Sequence, residues 1–311
     1  MRRIPIPLIV AASLVLAVSL ALAFLYTRPP VLIVTEQTFI DLYGKKRIRN
    51  EALLSSFFLF RLVKTVAVAN DAGDDIVPFA VAEISIKPYC VLFPLRFVQS
   101  AQRYRELNPN IPVVVLEGRY PEGENPAEKA LGADISEYFI YKTDINDDFY
   151  NLGLVISALK PKEEPENDDS TPETEKNNQI AVYLDQNLTQ MKDIFLKGLY
   201  DRGVLMETQF LYYYSQKLEK TDLFCVILTG LGYDYLDKKA GVPVISFTWV
   251  DPFFLPSDVV MVINDSPWAQ VRQAVGMVGA GQKNGLIKSE FKVLDRKKFD
   301  KGVISLIKKT L

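Results

Sequence analysis

Polar residues able to bind a small molecule follow the strand-like segments of this chain. In parallel α/β sheets, ligands bind just beyond the carboxyl ends of the strands, where loops are free to carry polar groups. In the first half these positions hold Thr35, Glu36, Gln37, Thr38, Asn70, Asp71, Arg96, Glu117 and Arg119. In the second half they hold Asp185, Gln186, Asn187, Thr229, Tyr233, Thr248, Trp249, Asp251 and Asp265. Hydrogen-bonding groups mixed with aromatic rings are typical of a site for a small polar ligand. The alternative is that these are ordinary polar turns.

Several kinds of chemistry are excluded by composition or by incomplete motifs. The chain contains no histidine, which removes Ser-His-Asp and Cys-His catalysis and most zinc sites. The segment "TGLGYDYL" from Thr229 has only two of the three glycines of a dinucleotide-binding motif, and "GMVGAGQKNG" lacks the Lys-Ser/Thr pair of a phosphate-binding loop. Carboxylate pairs such as Asp147-Asp148 stand at a predicted helix start, where capping explains them. We therefore predict a non-enzymatic protein with no metal and no cofactor.

The elements that must position these residues occur twice along the chain. The stretch beginning "PYCVLFP" at Pro88 is repeated in outline by "LFCVILT" at Leu223, and each is followed by a Pro-Val pair that opens a second apolar run. The similarity also includes the segments that precede these stretches, since "QIAVYLDQN" at Gln179 corresponds to "VLIVTEQTF" at Val31. Strands that are apolar on both faces and alternate with helices indicate parallel sheets covered on both sides. The sequence therefore predicts two tandem, five-stranded, doubly wound parallel-sheet lobes.

The domain boundaries follow from changes in composition. Residues 29–160 are predicted to form the N-terminal α/β lobe, residues 180–290 the C-terminal lobe, and residues 291–311 a strand-helix tail. Residues 161–179, which begin "PKEEPENDDS", are rich in proline and carboxylates and are predicted to be a disordered linker. Cys90 and Cys225 occupy equivalent places in the two lobes, so both are predicted to be free, buried thiols.

The first 28 residues are predicted to be a transmembrane anchor or a signal peptide. Arg2 and Arg3 precede an uncharged apolar run from Ile4 to Tyr26 that is long enough to span a bilayer. The arginine pair favours an internal N-terminus, which places everything after Arg28 on the outer, periplasmic side of the cell membrane. Ala21 to Ala23 also fit a cleavage site, so secretion to the periplasm after cleavage near Ala23 stays open. A net charge of −2 does not suggest a nucleic-acid partner.

An exported chain with two duplicated α/β lobes resembles the type I periplasmic binding-protein superfamily. The segment "AGVPVISFTWVDP" from Ala240 to Pro252 is similar to a segment of the substrate-binding proteins of ABC transporters. The resemblance implies a solute-binding protein that captures a sugar, nucleoside or amino acid in an inter-lobe cleft and serves an ABC-type permease or a membrane receptor. It places Thr248 to Asp251 on the second-lobe wall and Thr35 to Thr38 at the first-lobe loop. Two alternatives stay open, a degenerate fold used for protein interaction or signalling and a two-domain, glycosyltransferase-like enzyme.

Overall fold

The computed structural model describes residues 6–120, 123–159, 179–203, 206–212, 223–229, 242–247, 257–299 and 301–310. These residues divide into two compact units. The first unit comprises the described residues within 1–116, 127–140 and 271–284, and the second comprises those within 117–126, 141–270 and 285–311.

Within the described ranges, the strands form two sheets of six strands each. The strands of the first sheet, in chain order, are β1 (Val31–Glu36), β2 (Val63–Val68), β3 (Cys90–Pro94), β4 (Val113–Gly118), β5 (Phe139–Thr143) and β11 (Asn284–Ile287). Their spatial order is β11-β5-β4-β3-β1-β2. Because β1 pairs in parallel with β2 and with β3, starting at Val31 opposite Val63 and Cys90, the polar residues that follow these strands lie at one edge of the sheet.

The second sheet repeats this arrangement. Its strands are β6 (Gln179–Leu184), β7 (Glu207–Tyr212), β8 (Leu223–Leu228), β9 (Val244–Ser246), β10 (Val259–Asn264) and β12 (Glu290–Val293), in the spatial order β12-β10-β9-β8-β6-β7. The first five strands are parallel, whereas β12 runs antiparallel to β10. The predicted duplication of a doubly wound α/β sheet is therefore confirmed.

The predicted strand number of five is wrong for both sheets. In each, a sixth strand from the segment after residue 283 adds to the fifth parallel strand, which would otherwise expose its backbone groups at an edge. At the first sheet, Ile140 N donates to Lys283 O at 2.7 Å. At the second, Met261 lies opposite Val293.

The described residues form ten α-helices. They are α1 (Ile6–Thr27), α2 (Gln37–Tyr43), α3 (Lys45–Leu59), α4 (Ile76–Ile84), α5 (Val98–Leu107), α6 (Pro126–Leu131), α7 (Ile145–Leu159), α8 (Met191–Tyr200), α9 (Pro267–Gly279) and α10 (Lys301–Thr310). In the second unit, α7 and α8 pack closely because Gly153 and Gly198 face each other at the contact. Phe299, Val303 and Ile307 join the apolar core of this unit.

Three expectations about individual segments have different outcomes. Cys90 and Cys225 are free and fully buried, as predicted. Over the part of the chain that the structure describes, no helix is both long enough and apolar enough to cross a membrane. The predicted acidic linker, 161–179, lies outside the described residues except for Gln179, which begins β6.

Candidate functional site

A buried arginine lies at the centre of the polar residues of the second unit. Arg119 follows the carboxyl end of β4, and its side chain is 11% exposed. Its Nη2 forms an ion pair with Asp265 Oδ1 at 2.8 Å and donates to Ile263 O at 3.1 Å and to Phe247 O. The guanidinium also lies over the Phe247 ring, 5.0 Å from its centroid. These contacts fix the guanidinium at the carboxyl ends of β9 and β10.

One donor of this guanidinium is not used. Within the described part of the chain, Arg119 Nε is buried and has no hydrogen-bond partner. A buried donor without a partner costs about 1–3 kcal/mol. Arg119 Nε is therefore a buried donor whose hydrogen-bonding capacity the described residues leave unused.

Asp185 and Thr229 connect the ends of two neighbouring strands beside this arginine. Asp185 follows β6, and its backbone N–H donates to Thr229 Oγ1 at 3.1 Å. The Thr229 hydroxyl in turn donates to Tyr183 O at 2.8 Å. Since Thr229 is buried and Asp185 is half-buried, this network holds the Asp185 backbone in place. Gln186 and Asn187 follow it and are exposed.

A second buried carboxyl, Asp148, lies in the first turn of α7. It is 1% exposed, and Ser289 Oγ donates to its Oδ2 at 2.6 Å. Asp148 therefore has a role other than the predicted helix capping. The capping contact of this helix comes from Asp144, whose Oδ1 accepts from Asp147 N at 3.1 Å, while Asp147 pairs with Lys288 at 3.1 Å.

The carboxyl groups of this cluster share one electrostatic environment. Burial raises the pKa of Asp148 to about 7, against the lowering effects of the Ser289 hydrogen bond and the Arg119 charge. Burial also raises the pKa values of Asp185 and Asp265, and Arg119 opposes both shifts. Desolvation disfavours the ionised form of a carboxyl, whereas a nearby cation favours it. Arg119 is thus the positive charge that favours the ionised form of all three acids, Asp148, Asp185 and Asp265.

Glu117, the remaining predicted residue of this region, is buried at the end of β4. Its Oε2 lies 3.6 Å from Lys142 Nζ. It lies two residues before Arg119 on the chain.

The first unit has a separate group of polar residues at the carboxyl ends of β1, β2 and β3. Glu36 forms an ion pair with Arg96, and the Asn70 amide exchanges hydrogen bonds with Thr38, accepting from Thr38 N at 3.2 Å. Gln37 Nε2 donates to Asp41 at 3.0 Å. Thr35 is buried at the end of β1, and Asp71 is exposed after β2. The structure therefore brings Glu36 together with Arg96, and Thr38 together with Asn70, as strand ends of one sheet.

Four predicted site residues lie outside the described residues. They are Tyr233, Thr248, Trp249 and Asp251. Conversely, Asp148 was not predicted as a site residue, because its sequence position next to Asp147 is equally typical of a helix start. Its partner Ser289 is 141 residues away along the chain, so no local signal marks it. Arg119, in contrast, can be recognised as a candidate from the sequence, because it directly follows the end of a predicted strand.

The described residues of this region supply both hydrogen-bond donors and hydrogen-bond acceptors. In the described ranges, no group of three His, Cys, Asp or Glu side chains is placed to hold a metal ion. A guanidinium with one unused donor beside half-buried carboxyls can exchange hydrogen bonds with hydroxyl, amide or amine groups.

Comparison with known proteins gives a structural likeness but no sequence relative. No protein-family model matches the chain, and no curated protein matches it. A transcriptional activator of the comK gene from Bacillus halodurans is similar in structure, with a TM-score of 0.56 and 13% identity over 90% of this chain and 95% of that chain.

Two other solved structures have lower scores. A periplasmic solute-binding protein of an ABC transporter from Actinobacillus succinogenes, with bound D-allose, has a TM-score of 0.48 and 11% identity over 87% of this chain and 99% of that chain. A LacI transcriptional regulator from a Rhodococcus species has a TM-score of 0.47 and 11% identity over 84% and 95%. The two six-stranded sheets and the likeness at a TM-score of 0.56 show that the chain shares a duplicated α/β fold with the Bacillus halodurans activator, and at 13% identity they show the fold alone.

Proposed function

We propose that this chain binds a small polar solute of the sugar, nucleoside or amino-acid class. One observation carries the proposal, the buried guanidinium of Arg119 with its unused Nε beside Asp185 and Asp265. Three of the guanidinium's contacts are already made by protein groups, so its orientation is fixed before a ligand arrives. A fixed donor loses little conformational entropy on binding, which favours affinity for a small molecule.

Asp185 is proposed as the acceptor that complements this donor. Its backbone is held by Thr229, and its carboxyl is half-buried at a strand end. A carboxylate next to a guanidinium presents an acceptor and a donor side by side, which suits a ligand with neighbouring hydroxyl groups or with an amine and a carbonyl. Gln186, Asn187 and Asp265 are proposed to add contacts on the same edge of the sheet. The polar residues at the strand ends of the first unit are proposed as further ligand-binding residues.

A thermal-shift screen of the chain against sugars, nucleosides and amino acids tests this function. A solute present at a hundredfold excess over its Kd stabilises the folded state by about 2.7 kcal/mol. The Arg119→Lys variant keeps the positive charge but loses the planar set of donors, so the stabilisation by the same solute should largely disappear. Asp193→Asn, on the exposed surface of α8 in the same unit, is the control and should retain it. If no solute stabilises folded, ligand-free protein, solute binding is refuted.

Export and membrane attachment are a separate part of the proposal. They are supported by the sequence, in which Arg2 and Arg3 precede the uncharged run from Ile4 to Tyr26. We propose that the chain acts outside the cytoplasmic membrane and presents its solute to an ABC-type permease or a membrane receptor. Cell fractionation combined with N-terminal sequencing of the mature protein distinguishes an anchored chain that begins at Met1 from a chain cleaved near Ala23. A chain that begins at Met1 and remains in the soluble cytoplasmic fraction would refute export.

A further inference from the structure

The outward face of α3 in the first unit is apolar, although it is at the surface. Leu53, Leu54, Phe57 and Phe58 are 50–61% exposed, and Phe60, directly after the helix, is 57% exposed. The four helical positions, 53, 54, 57 and 58, share one side of α3, opposite the buried residues Ile48, Ser55 and Ser56. Surface helices normally carry polar residues on the side that faces water. We call the five exposed residues the α3 face.

The α3 face is not a consequence of the duplicated fold. The helix in the corresponding place of the second unit is α8, which follows the first strand of its sheet as α2 and α3 follow β1. It buries Met191, Phe195 and Leu199, and Tyr200 is its one large apolar residue among the exposed ones described. The same position in the fold is therefore compatible with a polar surface, and the apolar face belongs to the sequence of α3.

The exposed apolar area of the α3 face is comparable with the apolar area on one side of a protein–protein interface. Taking about 200 Å² for a fully exposed large apolar side chain, the five residues present about 500 Å² of apolar surface. A protein–protein interface of standard size buries about 800 Å² on each partner, and roughly 57–65% of that area is apolar. The α3 face by itself thus matches the apolar part of one side of such an interface.

The apolar surface continues from α3 into a groove along the edge strand β2. The groove has a volume of about 680 Å³, and its apolar lining includes Leu53 from α3, Val63 from β2 and Ile84 from the end of α4. Charged side chains also line it, namely Lys45 and Arg49 from the start of α3, Lys64 and Glu83. Ile84 is 40% exposed. The apolar surface therefore extends past the helix to the side of β2.

From this surface we propose that a second copy of the chain covers the α3 face, with the two α3 helices crossing at Phe57 around a two-fold axis. The charge distribution along α3 argues for this crossing point. Lys45, Lys46 and Arg49 lie near the start of the helix, and the apolar residues occupy its second half. A two-fold axis at Phe57 packs the apolar halves together and keeps the basic halves of the two copies apart. The area and the charge both fit a self-complementary contact.

Disulfide crosslinking of the full-length chain tests the crossing point. Cys90 and Cys225 are fully buried, and burial raises the pKa of each thiol to about 12, so neither reacts under mild oxidation. In Phe57→Cys the two new thiols lie at the axis, and most of the protein should become a disulfide-linked dimer. Lys46→Cys is the matched control, since it is exposed on the same side of α3 but about 16 Å along the helix from residue 57. It should crosslink at least tenfold less, because a disulfide needs Cα atoms within about 7 Å.

Sedimentation equilibrium gives an independent measure that does not depend on thiol geometry. The wild-type chain and Tyr200→Glu should have twice the mass of one chain, whereas Phe57→Glu should be monomeric, with a dimer Kd at least tenfold higher. A monomeric wild-type chain at micromolar concentration overturns the proposal, as does equal crosslinking through residues 46 and 57. If the wild-type chain is monomeric and Phe57→Glu instead reduces binding to lipid vesicles, the face belongs to a membrane contact. Solute binding is measured separately, so failure of the dimer leaves the proposed function untouched.

Discussion

Replacing Asp148 with asparagine should remove a pH dependence from the stability of the chain. Burial raises the pKa of Asp148 to about 7 from an ordinary value of 3.8. Between these values the folded chain holds a proton that the unfolded chain has released, so stability falls as pH rises. The difference of about 3 pH units, at 1.36 kcal/mol per unit, lowers the free energy of unfolding by about 4 kcal/mol.

The sign of the effect follows from the two protonation states. Below about pH 4 the carboxyl is protonated in both the folded and unfolded chain, and the contribution of the neutral group to stability is fully present. It is lost progressively as pH rises through 7. Asparagine is neutral at every pH, has nearly the same shape, and its side-chain oxygen accepts the hydrogen bond that Ser289 Oγ now donates to Asp148.

Urea denaturation of the wild type and of Asp148→Asn at several pH values between 4 and 8 measures this difference. The two chains should be about equally stable near pH 4, and the variant should be more stable by up to about 4 kcal/mol at pH 8. Asp193→Asn, on the exposed surface of α8, should follow the wild type throughout. An Asp148→Asn variant that keeps the pH dependence of the wild type, or that loses the same stability at every pH, would contradict a raised pKa of Asp148.

Other substitutions test the packing and the charge cluster of the second unit. Gly198→Ala places a Cβ against Tyr150 O at the α7–α8 contact, so it should lower the free energy of unfolding by about 2–3 kcal/mol in thermal or chemical denaturation. Gly276→Ala, a helical position in α9 with no atom within 4 Å of the added Cβ, should instead raise it by about 0.5–1 kcal/mol; equal effects at the two glycines would contradict the packing argument. Arg119→Ala leaves the Asp265 carboxylate and two backbone carbonyls without their donor and should cost about 3 kcal/mol, whereas a loss below about 1 kcal/mol would show that the ion pair is not effectively buried.

The duplicated sheets could be predicted because their strands have a strong local pattern. Val31–Glu36 and Gln179–Leu184 are runs of branched apolar residues that are buried almost throughout, which is typical of central parallel strands. The sixth strands lack this pattern. Asn284–Ile287 and Glu290–Val293 are four residues long and largely exposed or half-buried, so their place is set by an open sheet edge far away in sequence.

The candidate site could be predicted in part for the same reason. Asp185 and Arg119 each follow a recognisable strand, so the rule about strand ends finds both. Asp147 and Asp148 are neighbours at one helix start, yet Asp147 pairs with Lys288 while Asp148 is buried against Ser289. Helix rotation separates the two by about 100°, and only the tertiary packing decides which of them is buried.

The most direct test of solute binding is calorimetric titration of the solute found in the screen into three proteins. They are the wild-type chain, Asp185→Asn and the control Asp193→Asn. A hydrogen bond to a charged group contributes about 1.5–3 kcal/mol, so the Asp185→Asn variant should bind roughly 10- to 150-fold more weakly, while Asp193→Asn should bind as the wild type does. Equal affinity of all three proteins would show that the solute binds elsewhere and would contradict the assignment of the site to Arg119 and Asp185.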